Sequence, residues 1–228
     1  ERIGEFDAIV IRSGTRLDSD LIARATRLRV IGRAGIGVDN VDVEAATRRG
    51  IIVCNAPQSN VIAAAEHTVA LMLAVARRIP QAHASLVGGR WERSRFSGSE
   101  LHEKTLGILG FGRIGRLVAA RARAFGMRVV AYDPYVSNER FRELGAERAG
   151  RPEDVYRQAD FVSLHLPRTP ETEGMVGTEA FAQMRDGAYL VNCARGELVD
   201  LDALCAALDS GKLAGAALDV FPDEPLTE

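Results

Sequence analysis

The sequence predicts an α/β fold in which helices cover both faces of parallel sheets. Short β-branched and apolar runs recur along the chain and alternate with segments of helical pattern. Nearly continuous apolar strands of this kind are typical of parallel strands that are buried on both faces. A glycine-rich turn that follows the fourth predicted strand and opens a helix favours the same class. The predicted strands are 7–11, 28–32, 51–54, 106–110, 128–132, 161–165 and 188–192.

Among the helices predicted between these strands, two have a recognisable end. They cover residues 42–49 and 113–125, and each is followed by a glycine suited to a helix C-terminus, Gly50 and Gly126. Near the end of the chain, a further apolar strand is expected just before the Pro-flanked acidic loop "FPDEP".

A long apolar segment divides the chain. Residues 60–79 are predicted to form one helix, with Asn60 as its N-cap and Pro80 after its end. The helix is apolar almost all round, so we expect a burial partner beyond the core of one domain. The polar segment 81–103 follows and contains the only tryptophan, Trp91. We therefore expect a homodimer or a higher homo-oligomer that uses these elements.

Composition excludes several classes of function. The 228 residues include 29 basic and 31 acidic side chains, and the net charge of -2 gives no electrostatic motive for binding nucleic acid or an anionic membrane. The longest apolar run ends at Arg77 and Arg78, short of a membrane span, and no signal peptide is recognised at the start. The three cysteines are widely spaced and lack metal-ligand spacing. We expect a reduced, cytoplasmic protein without a metal site.

The strongest local signal is "KTLGILGFGRIGRLVAARARAFGMRVVAYDP", residues 104–134. Gly110, Gly112 and Gly115 follow a strand and open a helix, as in the βαβ dinucleotide-binding fingerprint. The first glycine permits a tight turn, the second lets the backbone approach a pyrophosphate, and the third lets helix and strand pack closely. The pattern predicts a Rossmann-type domain. Glycines that serve packing alone are the less favoured interpretation.

Three further residues complete this predicted site. The backbone N–H groups around Arg113 and Ile114 would face the phosphates at the positive end of the helix. Asp133 ends the next strand, where its carboxylate would accept hydrogen bonds from both ribose hydroxyls and repel a 2′-phosphate. The predicted cofactor is therefore NAD rather than NADP.

Two loops follow later strands of the same domain. In "HLPRTPET", His165 could line the adenine side of the site or be a partly exposed loop histidine, and Pro167 stiffens the loop. In "VNCARGELVD", Arg195 lies just past a strand end, on a turn attributed to Gly196. Its guanidinium could hold a planar carboxylate through two hydrogen bonds, although an arginine in this position is more often a solvated surface charge. Cys193 is interpreted as a small apolar residue under the nicotinamide.

The segment "IGRAGIGVDNVD", residues 31–42, predicts an anion site. Gly35 and Gly37 follow a strand and expose backbone N–H groups, and Arg33 adds a positive charge. Arg12 lies at another strand end in "IRSGT". Either arginine alone is more often a surface charge, but two at strand ends favour a carboxylate or phosphate ligand.

Together these motifs resemble the D-isomer-specific 2-hydroxyacid dehydrogenases, and within them the members that act on a phosphorylated substrate. The resemblance runs through the whole chain. It includes "RAGIGVDNVDVEAATRRGI", "NAPQSNVIAAAEHTVALMLAVARRIP", "WERSRFSGSEL", "KTLGILGFGRIG", "YDPY", "LHLPRTPET", "NCARGELVD" and "ALDVFPDEP" in family order.

The resemblance implies two domains with a cleft between them. Residues 1–57 would be part of a smaller flavodoxin-like α/β substrate domain, and residues 58–228 a doubly wound Rossmann-type domain that binds NAD. The family's catalytic histidine belongs to a Pro-His motif after the next strand, and the first strand and helix of its substrate domain precede residue 1. We therefore expect the sequence to be part of a longer enzyme, able to bind NAD but with little or no turnover by itself.

Residue roles also follow from the resemblance. Arg195 would hold the carboxylate and the reacting oxygen of the substrate, and Glu224 would hydrogen-bond the catalytic histidine. Arg12 and Arg33 would lie near the substrate phosphate, with the backbone of Gly35, Ile36 and Gly37 facing its carboxylate. The implied cofactor-binding set is Gly110, Gly112, Arg113, Ile114, Gly115, Asp133, His165, Pro167, Cys193, Ala194 and Asp219, the last near the nicotinamide carboxamide.

The implied activity is NAD-dependent oxidation of a phosphorylated 2-hydroxy acid. Two alternatives stay open. One is reduction of another 2-oxo acid, such as glyoxylate or hydroxypyruvate, and the other is an NAD-sensing binding protein like the transcriptional corepressors that share this fold. The presence of Arg195 and Glu224 favours an enzyme.

Overall fold

The computed structural model describes residues 2–226. The chain divides into two compact units, Glu1–Val61 and Ile62–Glu228. The boundary expected from the sequence, between residues 57 and 58, precedes the long helix, whereas the observed division falls at that helix's first residue.

Three parallel strands form the sheet of the first unit, in the order β1-β2-β3. Each of its two helices begins after an aspartate whose side chain accepts a hydrogen bond from a first-turn N–H: Asp18 from Leu21 and Asp42 from Ala45. Gly50 has a φ of +70°, as expected for a residue that ends a helix. The elements are β1 (Ala8–Ile11), α1 (Ser19–Arg24), β2 (Val30–Arg33), α2 (Val43–Arg48) and β3 (Ile52–Asn55), with a 3-10 helix at Ile3–Glu5.

Six parallel strands form the sheet of the second unit, in the order β6-β5-β4-β7-β8-β9. The strand order reverses between β4 and β7, so this is the point at whose carboxyl edge doubly wound proteins bind ligands. β6 has only two residues and carries no apolar pattern, which is why the sequence did not predict it. The strands are β4 (Thr105–Leu109), β5 (Arg128–Tyr132), β6 (Glu147–Arg148), β7 (Phe161–Leu164), β8 (Ala188–Asn192) and β9 (Leu213–Leu218).

Helices cover both faces of this sheet, and the doubly wound Rossmann-type prediction is confirmed. Successive residues of β8 point to opposite faces: Leu190 joins one buried cluster with side chains of α7, α8 and α9, while Val191 joins the other with side chains of α3, α5 and α6. The helices are α3 (Val61–Ala76), α4 (Ile79–Val87), α5 (Arg113–Ala124), α6 (Asn138–Glu143), α7 (Pro152–Gln158), α8 (Thr178–Gln183) and α9 (Leu201–Asp209), with 3-10 helices at Arg93–Phe96 and Gly196–Leu198.

The long helix is shorter than predicted. α3 ends at Ala76, and Arg78 adopts a left-handed backbone with φ of 52°. A second helix, α4, begins at Ile79 with Pro80 in its first turn, where a missing N–H and a fixed φ are tolerated. The prediction of one helix that ends before Pro80 is therefore wrong, because Pro80 lies inside the second helix. The first part of the polar segment 81–103 is helical, up to Val87.

Candidate functional site

The three glycines of the βαβ motif differ in the space around them. Gly110 has a φ of +91°, and a Cβ there would lie 2.6 Å from the carbonyl oxygen of His165. A Cβ on Gly115 would overlap the carbonyl oxygen of Gly110. At Gly112, by contrast, an added Cβ would meet no atom of the described residues within 4 Å. Two glycines thus let the chain fold tightly, and the third leaves open space at the start of α5.

That open space lies at a helix N-terminus suited to an anion. Gly112 is the N-cap of α5, its backbone is extended, and it offers no side chain to the first-turn N–H groups. These groups, which begin at Arg113 and Ile114, form the positive end of a 12-residue helix. A glycine cradle without side chains before such a helix fits a pyrophosphate.

Asp133 lies beside this turn, directly after β5. Its Oδ2 accepts a hydrogen bond from the backbone N–H of Phe111 at 2.9 Å, and its Oδ1 accepts one from Tyr135 N–H at 2.9 Å. The carboxylate is thereby fixed at the edge of the glycine turn. A carboxylate has about four acceptor positions, so capacity is left for the hydroxyls of a ribose.

His165 directly follows β7 and is half-buried. Its backbone N–H donates to Leu109 at 2.7 Å, so its main chain packs against the Gly110 turn. Its Nε2 lies 2.9 Å from the hydroxyl of the buried Ser163, and burial lowers the pKa of His165 to about 4. The imidazole is therefore neutral near pH 7, and it points back toward the strand.

The loop after β7 is connected to the turn after β8 by an arginine. Arg168 donates to Glu197 at 2.7 Å and to Glu173 at 3.2 Å. The backbone N–H groups of Gly174 and Val176 also donate to the carbonyls of Glu197 and Leu198. Pro167, in the same loop, is exposed. These contacts fix the two loops relative to each other at the carboxyl edge of the sheet.

Asn192 builds the turn that carries Arg195. The amide of this buried residue donates to the carbonyl of Arg195 at 2.8 Å, and its Oδ1 accepts from Ala194 N–H at 3.0 Å. Arg195 also donates to the Ala194 carbonyl at 2.7 Å. Gly196 is required for a reason other than the predicted turn: a Cβ there would overlap the backbone of Phe221. Asn192 was not predicted from the sequence, because an asparagine at a strand end has many other uses.

Cys193 and Asp219 lie at the ends of β8 and β9. Cys193 is half-buried, and burial raises the pKa of its thiol, so it stays protonated and apolar in character. Asp219 is held in line by its N–H, which donates to the carbonyl of Asn192 at 2.9 Å. Its Oδ1 lies 3.1 Å from Nε2 of His67, a residue of α3 for which no role was predicted.

Glu224 caps the turn after β9. Its Oε1 accepts a hydrogen bond from Phe221 N–H at 3.1 Å, and the side chain is exposed. The contact holds the carboxylate in the short loop that follows Asp219.

In the first unit, the predicted anion-binding residues lie on adjacent strands. Arg33 ends β2 and pairs in register with Ile11, so Arg12 follows directly beside it. Asn40 joins the two strand ends: its amide donates to the carbonyls of Arg12 at 2.8 Å and Thr15 at 2.6 Å. Its Oδ1 lies 3.5 Å from Nε of Arg33.

The glycine loop of this unit is partly occupied by its own arginine. Arg33 donates to the carbonyl of Ala34 at 3.3 Å, and its guanidinium fills the place that a Cβ of Gly35 would take. The amide of Asn55 donates to the carbonyl of Ile36 at 2.7 Å, which fixes the loop at Ile36. The structure thus brings all five predicted residues of this unit to one edge of its sheet.

No group of three or more His, Cys, Asp or Glu side chains within residues 2–226 could hold a metal ion. Over the same residues, no helix has both the length and the apolar character needed to cross a membrane.

Fold and site define a protein of the NAD-binding α/β class, and comparison with known proteins gives the family. Residues 69–228 match the family model described as "D-isomer specific 2-hydroxyacid dehydrogenase, NAD binding domain". The chain belongs to the D-isomer specific 2-hydroxyacid dehydrogenases and contains their NAD-binding domain.

Curated relatives carry a more specific name. The chain is 53% identical over 225 residues to the D-3-phosphoglycerate dehydrogenase of Methanocaldococcus jannaschii, covering 99% of this chain and 43% of that protein. It is 50% identical over 221 residues to the enzyme of that name from Rattus norvegicus, covering 97% of this chain and 41% of that protein. The chain therefore spans less than half the length of these two relatives.

Solved structures of the family have the same fold. The D-lactate dehydrogenase from Aquifex aeolicus, complexed with NAD and lactic acid, superposes with a TM-score of 0.91 at 35% identity, covering 98% of this chain and 67% of that one. A glyoxylate reductase from Paecilomyes thermophila also gives a TM-score of 0.91 at 35% identity, covering 99% of this chain and 71% of that one.

Proposed function

We propose that this chain acts in the NAD-dependent oxidation of 3-phospho-D-glycerate to 3-phosphohydroxypyruvate, a step of L-serine biosynthesis. Curated relatives that are about half identical to it are named D-3-phosphoglycerate dehydrogenase. When bound, NAD would supply the hydride acceptor. The residues of this chain would bind and orient the cofactor and the substrate. Residues up to 57 would belong to the substrate domain and those from 58 onward to the NAD-binding domain.

The pair Arg12 and Arg33 is the observation that favours a phosphorylated substrate. Their strands are adjacent, and Asn40 fixes the backbone of one and contacts the guanidinium of the other. Two guanidinium groups at neighbouring strand ends offer forked donors that match a phosphate dianion. An unphosphorylated acid, such as glyoxylate or lactate, would not need both charges.

Other residues would act on the reacting end of the substrate. Arg195 would hold the carboxylate and the C2 oxygen of the substrate. In the first unit, backbone N–H groups of the loop from Gly35 to Gly37 would be donors for the substrate carboxylate. Glu224 would orient the family's catalytic histidine, whose motif is not among these 228 residues. That histidine would take the hydroxyl proton as hydride leaves C2.

NAD would bind at the turn after β4. Gly110, Gly112 and Gly115 would admit the pyrophosphate to the N-terminus of α5, near Arg113 and Ile114, and Asp133 would bind the ribose diol. His165 and Pro167 would line the adenine side, while Cys193, Ala194 and Asp219 would surround the nicotinamide. The support is geometric: these residues follow β4, β5, β7, β8 and β9 at one edge of the sheet.

Calorimetry on the NAD-loaded chain would test the substrate assignment. We expect Arg12→Gln and Arg33→Gln each to weaken binding of 3-phosphoglycerate by about 10-fold or more, because a hydrogen bond to a charged group is lost. Binding of D-glycerate should change much less. Arg24→Gln, at the exposed end of α1, is the matched control. Equal losses for both acids, or preferred binding of glyoxylate, would favour a 2-oxo acid reductase.

We also propose a homodimer formed through α4 and the segment after it. Four large apolar side chains are exposed there: Ile79 (53%), Leu86 (58%), Val87 (73%) and Trp91 (80%). An aromatic and aliphatic patch of this kind is typical of an interface. α3 contributes less than its composition indicated, because Leu73 packs against the core of its own unit. The cytoplasm is the proposed location, where the three free cysteines would stay reduced.

A further inference from the structure

His67 and Asp219 are far apart in the sequence but in contact in the second unit. His67 lies in the first half of α3, and Asp219 follows the last residue of β9. The distance between His67 Nε2 and Asp219 Oδ1 is 3.1 Å. A carboxylate can only accept hydrogen bonds, so Nε2 carries the proton and donates it.

The contact restricts the one freedom that the backbone leaves to Asp219. Its main chain is fixed by the hydrogen bond from its N–H to Asn192 and by the pairing of Leu218 with Asn192. The side chain could still rotate, and 49% of its surface is exposed. His67 occupies about one of the four acceptor positions and holds the carboxylate plane, which leaves the others for a ligand.

Cys193 and Thr68 border the same place. The thiol of Cys193 interacts with the Thr68 side chain and with the charge of Asp219, and burial raises its pKa. The Thr68 hydroxyl donates to the carbonyl of Ala64 at 2.8 Å, within α3. The helix turn that carries His67 is therefore packed against the strand end that carries Cys193.

We infer that His67 is a positioning residue for the nicotinamide half of the dinucleotide: it orients the Asp219 carboxylate to accept hydrogen bonds from the carboxamide N–H groups. The inference rests on the proposed function, in which Asp219 faces the carboxamide. His67 would not contact the cofactor itself and would act only by orienting Asp219.

Binding of NAD and of ADP-ribose, which lacks the nicotinamide, tests this inference on the full chain. His67→Leu should weaken NAD binding by about 2- to 5-fold, the range expected for a half-exposed charged contact, and leave ADP-ribose binding unchanged. His67→Gln retains an N–H donor near the position of Nε2 and should restore the affinity for NAD. His102→Leu, at an exposed histidine shortly before β4, is the matched control.

A double-mutant cycle then shows whether His67 acts through Asp219. Asp219→Ala should weaken NAD binding selectively, and adding His67→Leu should cause no further loss. Additive losses, equal weakening of ADP-ribose, or failure of His67→Gln to restore affinity would overturn the inference. If Asp219→Ala weakens NAD binding but His67→Leu does not, the role of His67 fails while the proposed function stands. If the unmodified chain binds neither ligand, the proposed function itself fails.

Discussion

The carbonyl oxygen of Gly110 occupies the place where a Cβ of Gly115 would lie, so α5 can pack on the end of β4 only if residue 115 has no side chain. Gly112, between them, has open space around its Cα. The three glycines should therefore respond differently to the same substitution.

Gly115→Ala should lower the free energy of unfolding by about 1–3 kcal/mol, because an added methyl group in a packed contact forces the backbone apart. It should also abolish NAD binding. Gly112→Ala, the matched variant, should change stability by less than about 1 kcal/mol, the scale of an N-cap replacement, yet weaken NAD binding strongly. Urea unfolding and calorimetry would measure both effects. An unchanged urea midpoint for Gly115→Ala would contradict the steric argument.

Asp133→Ala should narrow the preference for NAD over NADP chiefly by weakening the binding of NAD. The carboxylate that would accept from the ribose also accepts from Phe111 N–H and Tyr135 N–H, so its removal loosens the glycine turn as well. Asp133→Asn keeps one acceptor oxygen but removes the charge that repels a 2′-phosphate. Both variants lose the charge, so Asp133→Asn should bind NADP better than the alanine variant because its remaining oxygen can still accept from the glycine turn. Equal affinities of the unmodified chain for NAD and NADP would rule out the role of Asp133.

His165 should make stability depend on pH in a defined window. Burial lowers its pKa from 6.5 to about 4, so between these values the unfolded chain binds more protons than the folded chain. The stabilisation is fully present above about pH 6.5 and is lost as the pH falls toward 4. Relative to His165→Gln, the native chain should lose at most about 3 kcal/mol between pH 7 and pH 4. Urea unfolding of both proteins at several pH values would measure this difference, and a constant difference would refute the prediction.

Trp91→Glu and Val87→Asp should convert a dimer into a folded monomer, because both side chains are largely exposed in the single chain. Leu73→Asp is expected to unfold the second unit instead, since Leu73 packs against its core. Light scattering at micromolar concentration, with circular dichroism to check folding, separates the two outcomes. A monomeric native chain would count against the proposed interface.

Several features were predictable because they depend on neighbours along the chain. Gly50 and Gly126 were placed at helix ends from the period of the preceding residues, and both have a φ near +70° to +77°. Pro80 was misjudged because a proline is compatible both with the end of one helix and with the first turn of the next. The left-handed backbone at Arg78 ends the first helix, so that Pro80 falls in the first turn of the second. No local sequence pattern predicts that backbone conformation.

By itself, the sequence determined the class of this protein: apolar strands alternating with helices, and a glycine spacing that only a tight turn before a helix requires. These are local properties, fixed by the side-chain period and by the absence of a Cβ. Only the tertiary structure decided that His67 meets Asp219, 152 positions away, that Asn40 connects Arg12 with Arg33, and that His165 turns back to Ser163. Such contacts depend on how helices and strands pack across a sheet, and a histidine or asparagine looks the same in the sequence whether or not packing gives it a partner.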